Sequence, residues 1–261
     1  MPLSAPPQLG RLGLLQIVIV KEDKLYGECL KQIIENTLQN AKVTQVTSLV
    51  EAGSLGLDAG WCDLLICGIG FSDGDSLEWL ERVVSSRSAN RILILTTCRE
   101  ILTLAALREM QINGMFDPIN AGLNELSNAL DFVISGGYYL SPSFHDLLHP
   151  TDSLAVDLTR NLTPKEQLVM TAIGDGSDDA EAAGLLDMST AAVRSHRKRL
   201  HSKLGISHRG QLVRTAFVHG FVRVANNTIV RPGFANLMRR VSRPLREATA
   251  SQVESLQARN P

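Results

Sequence analysis

The segment TAAVRSHRKRLHSKL, residues 190–204, carries the most concentrated cationic chemistry in the chain. Wound as a helix at about 100° per residue, it sorts its side chains onto two faces. Val193, Leu200 and Leu204 fall together and predict a face packed on a core. Ala191, Arg194, Ser195, Lys198 and Ser202 fall on the other side, toward solvent. A face of small and cationic residues can enter the major groove of a nucleic-acid duplex. Arg194 could grip guanine O6 and N7, Ser195 could bond to either kind of base edge, and Lys198 could reach guanine or a phosphate. Arg197, Arg199, His201 and Lys203 stand on the flanks, where phosphates would lie. A solvated basic helix without a ligand would show the same composition, so the surrounding frame decides between them.

That frame is helical from residue 161 onward. In NLTPKEQ, Thr163 is placed to cap a helix, Pro164 to occupy its first turn and Glu166 to complete a capping box. Breaks follow at Gly174–Gly176, Met188–Ser189 and Gly205–Ser207, and Ser189 is placed to cap the cationic helix. The pattern predicts a small all-α, four-helix domain over residues 161–224. Asp178 and Asp179 open its second helix. Carboxylates there suit the helix dipole but would repel a nearby phosphate.

The first half of the chain reads differently. LLQIVIV (Leu14–Val20), DLLICGI (Asp63–Ile69) and RILILTT (Arg91–Thr97) are short apolar runs of strand length, and GMF (Gly114–Phe116) is a shorter extended piece. Helical spacing separates and follows them, in LYGECLKQIIENTL, LEWLERVV, ILTLAALREM and LNELSNALDFVISGG. Strands alternating with helices predict an α/β, flavodoxin-like, doubly wound domain over residues 14–142. Residues 1–13 read as a disordered leader and 143–160 as a linker. Residues 225–261 read as a basic tail in which Phe234, Leu237, Met238, Val241 and Leu245 keep helical spacing beside four arginines.

Charge divides along the same line. Residues 1–150 hold 10 Lys+Arg against 17 Asp+Glu, and residues 151–261 hold 16 against 10. An acidic half joined to a basic half points to a polyanion partner for the second half. Cys29, Cys62, Cys67 and Cys98 form no CxxC pair and read as buried reduced thiols of a cytoplasmic protein. No apolar run is long enough to predict a membrane span, and the first residues lack the pattern of a secretory signal.

Residues 162–224 resemble the DNA-binding domain of the LuxR/NarL regulators. The matching positions are Leu162, Thr163, Glu166, Gly176, Glu181, Ala183, Leu186, Ser189, Val193, His196, Lys203, Leu204, Gly205 and Gln211–Val213. The resemblance implies a LuxR-type helix-turn-helix with Arg194, Ser195 and Lys198 at base-reading positions, Lys203 at a phosphate-contacting one, and dimerisation around Gln211–Phe217. Ala192 departs from the family's usual Thr.

With that clue, residues 14–140 resemble a response-regulator receiver, through IVIVKEDKLYGECL, DLLICGIGFSDGDSLEWL and GGYYLSP. Receiver phosphotransfer uses an acidic pair to hold Mg²⁺, an aspartate nucleophile, a Ser/Thr and a Lys. Here the acidic-pair positions hold Lys21 and Glu22, the nucleophile position Gly68, the hydroxyl position Thr96 and the lysine position Pro118. Asp73 and Asp75 lie too far beyond the strand to substitute. The resemblance therefore implies a pseudo-receiver, in which the Lys21 ammonium could fill the vacated metal pocket and pair with Glu22 or Asp23.

Taken together, these readings lead to the expectation of a transcription regulator rather than an enzyme, using neither cofactor nor metal. It would bind double-stranded DNA as a homodimer without aspartyl phosphorylation. Its first domain would serve dimerisation, or sense a regulatory protein or small ligand. The alternative is an antagonist that sequesters another regulator and reads DNA weakly.

Overall fold

The computed structural model describes residues 13–56, 62–148, 161–225 and 227–242. The expected leader (except residue 13), most of the expected linker and the last part of the tail lie outside the described residues. The described residues divide into two compact units: those within 13–98 and 107–147, and those within 99–106 and 148–242.

The first unit is an α/β receiver-like fold. The elements of this part of the chain run β1 (Leu15–Val20), α1 (Lys24–Thr37), β2 (Ala41–Val46), α2 (Leu49–Ser54), β3 (Cys62–Gly68), α3 (Ser76–Ser86), β4 (Ala89–Leu95), α4 (Ile101–Glu109, of which residues 101–106 group with the second unit), β5 (Gly114–Phe116), α5 (Leu123–Ile134), β6 (Tyr139–Leu140) and α6 (Pro142–Leu148). The strands form one sheet in the order β2-β1-β3-β4-β5-β6, parallel throughout. Central strands of such a sheet are covered on both faces, which is why β1, β3 and β4 are nearly continuous Ile, Leu and Val. Ile17, Ile19, Leu64, Ile66, Leu93 and Leu95 on these strands meet Ile34 of α1 and Leu130 and Val133 of α5 in one core. Side-chain caps fix where helices begin: Asp23 accepts from Tyr26 N–H at α1, and Asp75 accepts from Leu77 N–H at α3.

The second unit contains the expected all-helical domain and more. Its helices are α7 (Pro164–Ile173), α8 (Asp179–Leu186), α9 (Thr190–Leu204) and α10 (Arg209–His219). An antiparallel hairpin of β7 (Arg223–Ala225) and β8 (Thr228–Val230) follows, and then α11 (Phe234–Ser242). The capping box forms as expected, with Thr163 Oγ1 accepting from Glu166 N–H and Glu166 Oε2 accepting from Thr163 N–H. Val169, Met170 and Ile173 of α7, Ala182 and Leu186 of α8, Val193 and Leu200 of α9, and Leu212 and Ala216 of α10 make the core.

Three expectations need correction. Residues 143–148 of the expected linker are helical, as part of α6, and Phe144 among them is fully buried. In the expected tail, Phe234, Leu237, Met238 and Val241 pack on the core of the second unit, and Arg231 of the same stretch pairs with Asp175. Cys29 is exposed on α1, whereas Cys62 and Cys67 are buried, with burial pushing the Cys62 thiol up to about 12. No described helix is long and apolar enough to cross a membrane.

Candidate nucleic-acid interface

The cationic helix α9 is held at both ends by its own sequence. Ser189 accepts from Ala192 N–H at the start, and Gly205 closes the helix at φ +63°, a left-handed conformation that glycine adopts without a Cβ penalty. Val193 and Leu200 are fully buried and set the rotation of the helix. Ala191, Arg194, Ser195, Lys198, Arg199 and Ser202 are exposed, so the helix presents the face that its periodicity predicts.

Within that face the cations differ. Arg197 is half-buried and donates from Nε and Nη2 to Asp179 Oδ1 and Oδ2, at 2.8 and 2.9 Å. Arg194 Nε reaches Asp179 Oδ2 at 3.4 Å while remaining largely exposed. The Arg197 hydrogen bond, with the charges of both arginines, holds the Asp179 carboxyl below the usual carboxylate range against the opposing effect of burial. Lys203 donates to Glu166 Oε2 at 2.7 Å and to the Asn161 carbonyl at 3.0 Å. Burial pushes the Glu166 carboxyl up, but the hydrogen bonds from Lys203 and Thr163 outweigh it, and the net shift is downward. Ser195, Lys198 and Arg199 make no ion pair or side-chain hydrogen bond within the described residues.

The sequence thus places all six cationic and hydroxyl candidates on one helix, and the structure divides them. Arg194, Ser195, Lys198 and Arg199 face outward, whereas Arg197 and Lys203 are tied to carboxylates of α8 and α7. At the acidic start of α8, Asp178 is the cap, accepting from Ala180 and Glu181 N–H, and Asp179 is the partner of the two arginines.

In the first unit the receiver-pocket positions also part company. Glu22 accepts from Ser72 N–H and Ser72 Oγ–H, and Asp23 caps α1, so both carboxylates are occupied by donors other than Lys21. The expected Lys21 ion pair is absent among the described residues. Lys21 Nζ lies instead over the Tyr26 ring, 5.3 Å from its centroid. Its chain runs past Gly68, where an added Cβ would come 3.0 Å from Lys21 Cδ and 3.5 Å from Nζ. Lys21 therefore fills space that a side chain at position 68 would need. Thr96 is buried and accepts from Cys98 N–H. Asp73 accepts from Val50 N–H and Asp75 caps α3, so each has a local structural partner. Among the described residues no three His, Cys, Asp or Glu side chains come together as a metal site.

Comparison with known proteins agrees with both units. Residues 160–216 match the family described as bacterial regulatory proteins, luxR family. The chain is 33% identical over 99 residues to the transcriptional regulatory protein MctR of Rhizobium johnstonii, covering 38% of this chain and 45% of that protein. It is 24% identical over 214 residues to the transcriptional regulatory protein YdfI of Bacillus subtilis, covering 81% and 99%. The chain thus spans under half the length of the first relative and nearly all of the second. Among solved structures, RcsB of Salmonella enterica serovar Typhimurium, bound to a promoter with a phosphomimetic, superposes with a TM-score of 0.53 at 19% identity, covering 77% of this chain and 97% of that one. Residues 160–216 are thus similar to the luxR family of bacterial regulatory proteins, and the chain shares the fold of RcsB.

Proposed function

We propose that the chain is a DNA-binding transcription regulator that acts as a homodimer and without aspartyl phosphorylation. The observation that carries the reading is the outward face of α9. Arg194, Ser195 and Lys198 stand exposed on a helix whose opposite face is locked into the core by Val193 and Leu200. Such a helix can lie in the major groove with its side chains on base edges. The luxR-family match and the relatives named as transcriptional regulators support this reading. Gly68 supports the second part, since a glycine offers no carboxylate to phosphorylate and Lys21 crowds its place. The domain limits follow the same division: 14–142 for the pseudo-receiver and 161–224 for DNA binding, extended by the packed helix α11.

The partial neutralisation of Arg194 and Arg197 by Asp179 favours a second reading, an antagonist that binds another regulator and reads DNA weakly. Selection from a random duplex pool with untreated full-length protein separates the two, with Arg194→Ala/Lys198→Ala as control. The first reading expects a two-fold-related motif that the double variant fails to enrich. If neither protein enriches a motif while residues 151–261 alone do, the first domain masks the DNA helix; if that fragment also selects nothing, the antagonist reading is the better one.

A further inference from the structure

The strands of the first unit end together on one side of the sheet, and their tips enclose a cavity of about 250 Å³. It lies where the order β2-β1-β3 reverses direction, the place where open parallel sheets take their ligands. Lys21, Tyr26, Ile69, Thr96, Thr97 and Ile119 contribute to its wall.

We propose that this cavity is a reversible binding site for a small organic anion, of the class of a hydrophobic monocarboxylate. The anionic head would sit on Lys21 and the two threonine hydroxyls, and the apolar body against Ile69, Tyr26 and Ile119.

The argument begins with Lys21. No carboxylate lies within 4.0 Å of its amine among the described residues, because Glu22 and Asp23 are engaged elsewhere. Lys21 lines the cavity together with two threonines, Tyr26, apolar side chains and one carboxylate, that of Asp23, and its ammonium has three N–H donors. Thr96 Oγ1 accepts from Cys98 N–H, so its own proton has no acceptor among the described residues and can be donated. A cation and hydroxyl donors that line one partly apolar cavity can recognise a negative head with an apolar body.

Two features narrow the class. Gly68 supplies no nucleophile, so recognition is non-covalent. Asp23 also lines the cavity, and its negative charge disfavours a doubly charged head. A monocarboxylate therefore fits better than a phosphate monoester. This site does not depend on the DNA-binding reading.

The test is calorimetric titration of the full chain with benzoate, phenyl phosphate and neutral benzamide. Benzoate is expected to bind with Kd on the order of 1 mM or tighter, and benzamide to give no saturable heat at the same concentrations. Lys21→Met should weaken benzoate about tenfold or more, whereas Lys21→Arg, which keeps the charge, should stay within about threefold. Thr96→Val, with its isosteric side chain, should weaken benzoate severalfold and carries the test if Lys21→Met does not fold. Thermal melts of each variant report folding separately. Equal binding of benzamide and benzoate, undiminished binding by a folded Lys21→Met, or no binding of either anion would overturn the site. Tighter binding of phenyl phosphate than benzoate would overturn the monocarboxylate assignment.

Discussion

Arg197 and Asp179 form a two-pronged ion pair that joins the cationic helix α9 to the start of α8, with Asp179 only 15% exposed. The planar guanidinium matches the carboxylate geometry, which makes this kind of pair among the stronger charge-assisted contacts. Arg194 touches the same carboxylate from the exposed side. One carboxylate therefore both links two helices and offsets part of the charge that α9 shows to solvent.

Asp179→Asn tests that relation. Removing the negative charge should free the two arginines for phosphate, so DNA affinity should rise on all sequences alike and discrimination should fall. The plot of log K against log salt should steepen by about one to two phosphate contacts. Arg197→Ala should leave that slope nearly unchanged, whereas Lys198→Ala should reduce it by about one if Lys198 contacts phosphate. Binding isotherms at several salt concentrations measure all three. A slope that falls in Arg197→Ala as much as in Lys198→Ala would show that Arg197 leaves Asp179 for the duplex.

The ion pair of Lys203 with Glu166 gives a prediction about stability. Glu166 is almost fully buried, and its carboxylate is satisfied by Lys203 and by Thr163. Glu166→Gln or Lys203→Met should each cost about 1–3 kcal/mol at neutral pH. Because the folded-state pKa of Glu166 lies below its ordinary 4.5, its contribution is present above that value and is lost as pH falls through the depressed one. Denaturant melts should therefore show wild type and Glu166→Gln converging as pH falls below the ordinary value of 4.5. A gap that stays constant from neutral to strongly acid pH would remove Glu166 as the titrating group.

Much of this was legible before any coordinates. The outward face of α9 follows from the spacing of Val193, Leu200 and Leu204, and the start of α7 from Thr163, Pro164 and Glu166. These are local patterns, set by residues within a turn or two of one another. β2 escaped because AKVTQV alternates apolar with polar residues at a sheet edge and lacks the continuous run of β1 or β3. The short hairpin of β7 and β8 escaped because three-residue strands carry almost no periodic signal. The Asp179–Arg197 and Glu166–Lys203 pairs were out of reach for another reason. Their partners are 18 and 37 residues apart, and only the packing of α7, α8 and α9 brings them together. Lys21 shows the same limit, since its neighbours in sequence suggested ion pairs that backbone N–H and serine donors claim first.

Phosphorylation chemistry gives a third prediction. Incubation with a small phosphodonor and Mg²⁺ should leave no base-labile phosphate on the native chain, because position 68 has no carboxylate. Gly68→Asp should also remain unmodified. The new carboxylate would meet the Lys21 chain and ammonium, which occupy its space, and the position before Glu22 would still hold a lysine where an acidic pair would bind the metal. Intact-mass measurement before and after base treatment checks both. A stoichiometric, base-labile mass gain on the native protein would place the phosphoacceptor elsewhere and overturn the pseudo-receiver reading.

The last prediction concerns α11, which the sequence presents as a basic tail and the structure packs on the core of the second unit. Phe234, Leu237, Met238 and Val241 line its inner face, while Arg239 and Arg240 remain exposed. Leu237→Ala should therefore cost about 1–2 kcal/mol, less than a fully buried leucine because this one is half-buried. Arg240→Ala should stay within about 0.5 kcal/mol. If α11 is only a structural cover, neither change should move the salt dependence of DNA binding. If its arginines also reach phosphate, Arg240→Ala should lower the salt slope while leaving the melt alone. Melting curves and salt titrations on the same two variants separate packing from contact, since Leu237→Ala moves the melt in either case and Arg240→Ala moves the salt slope only if its charge reaches phosphate.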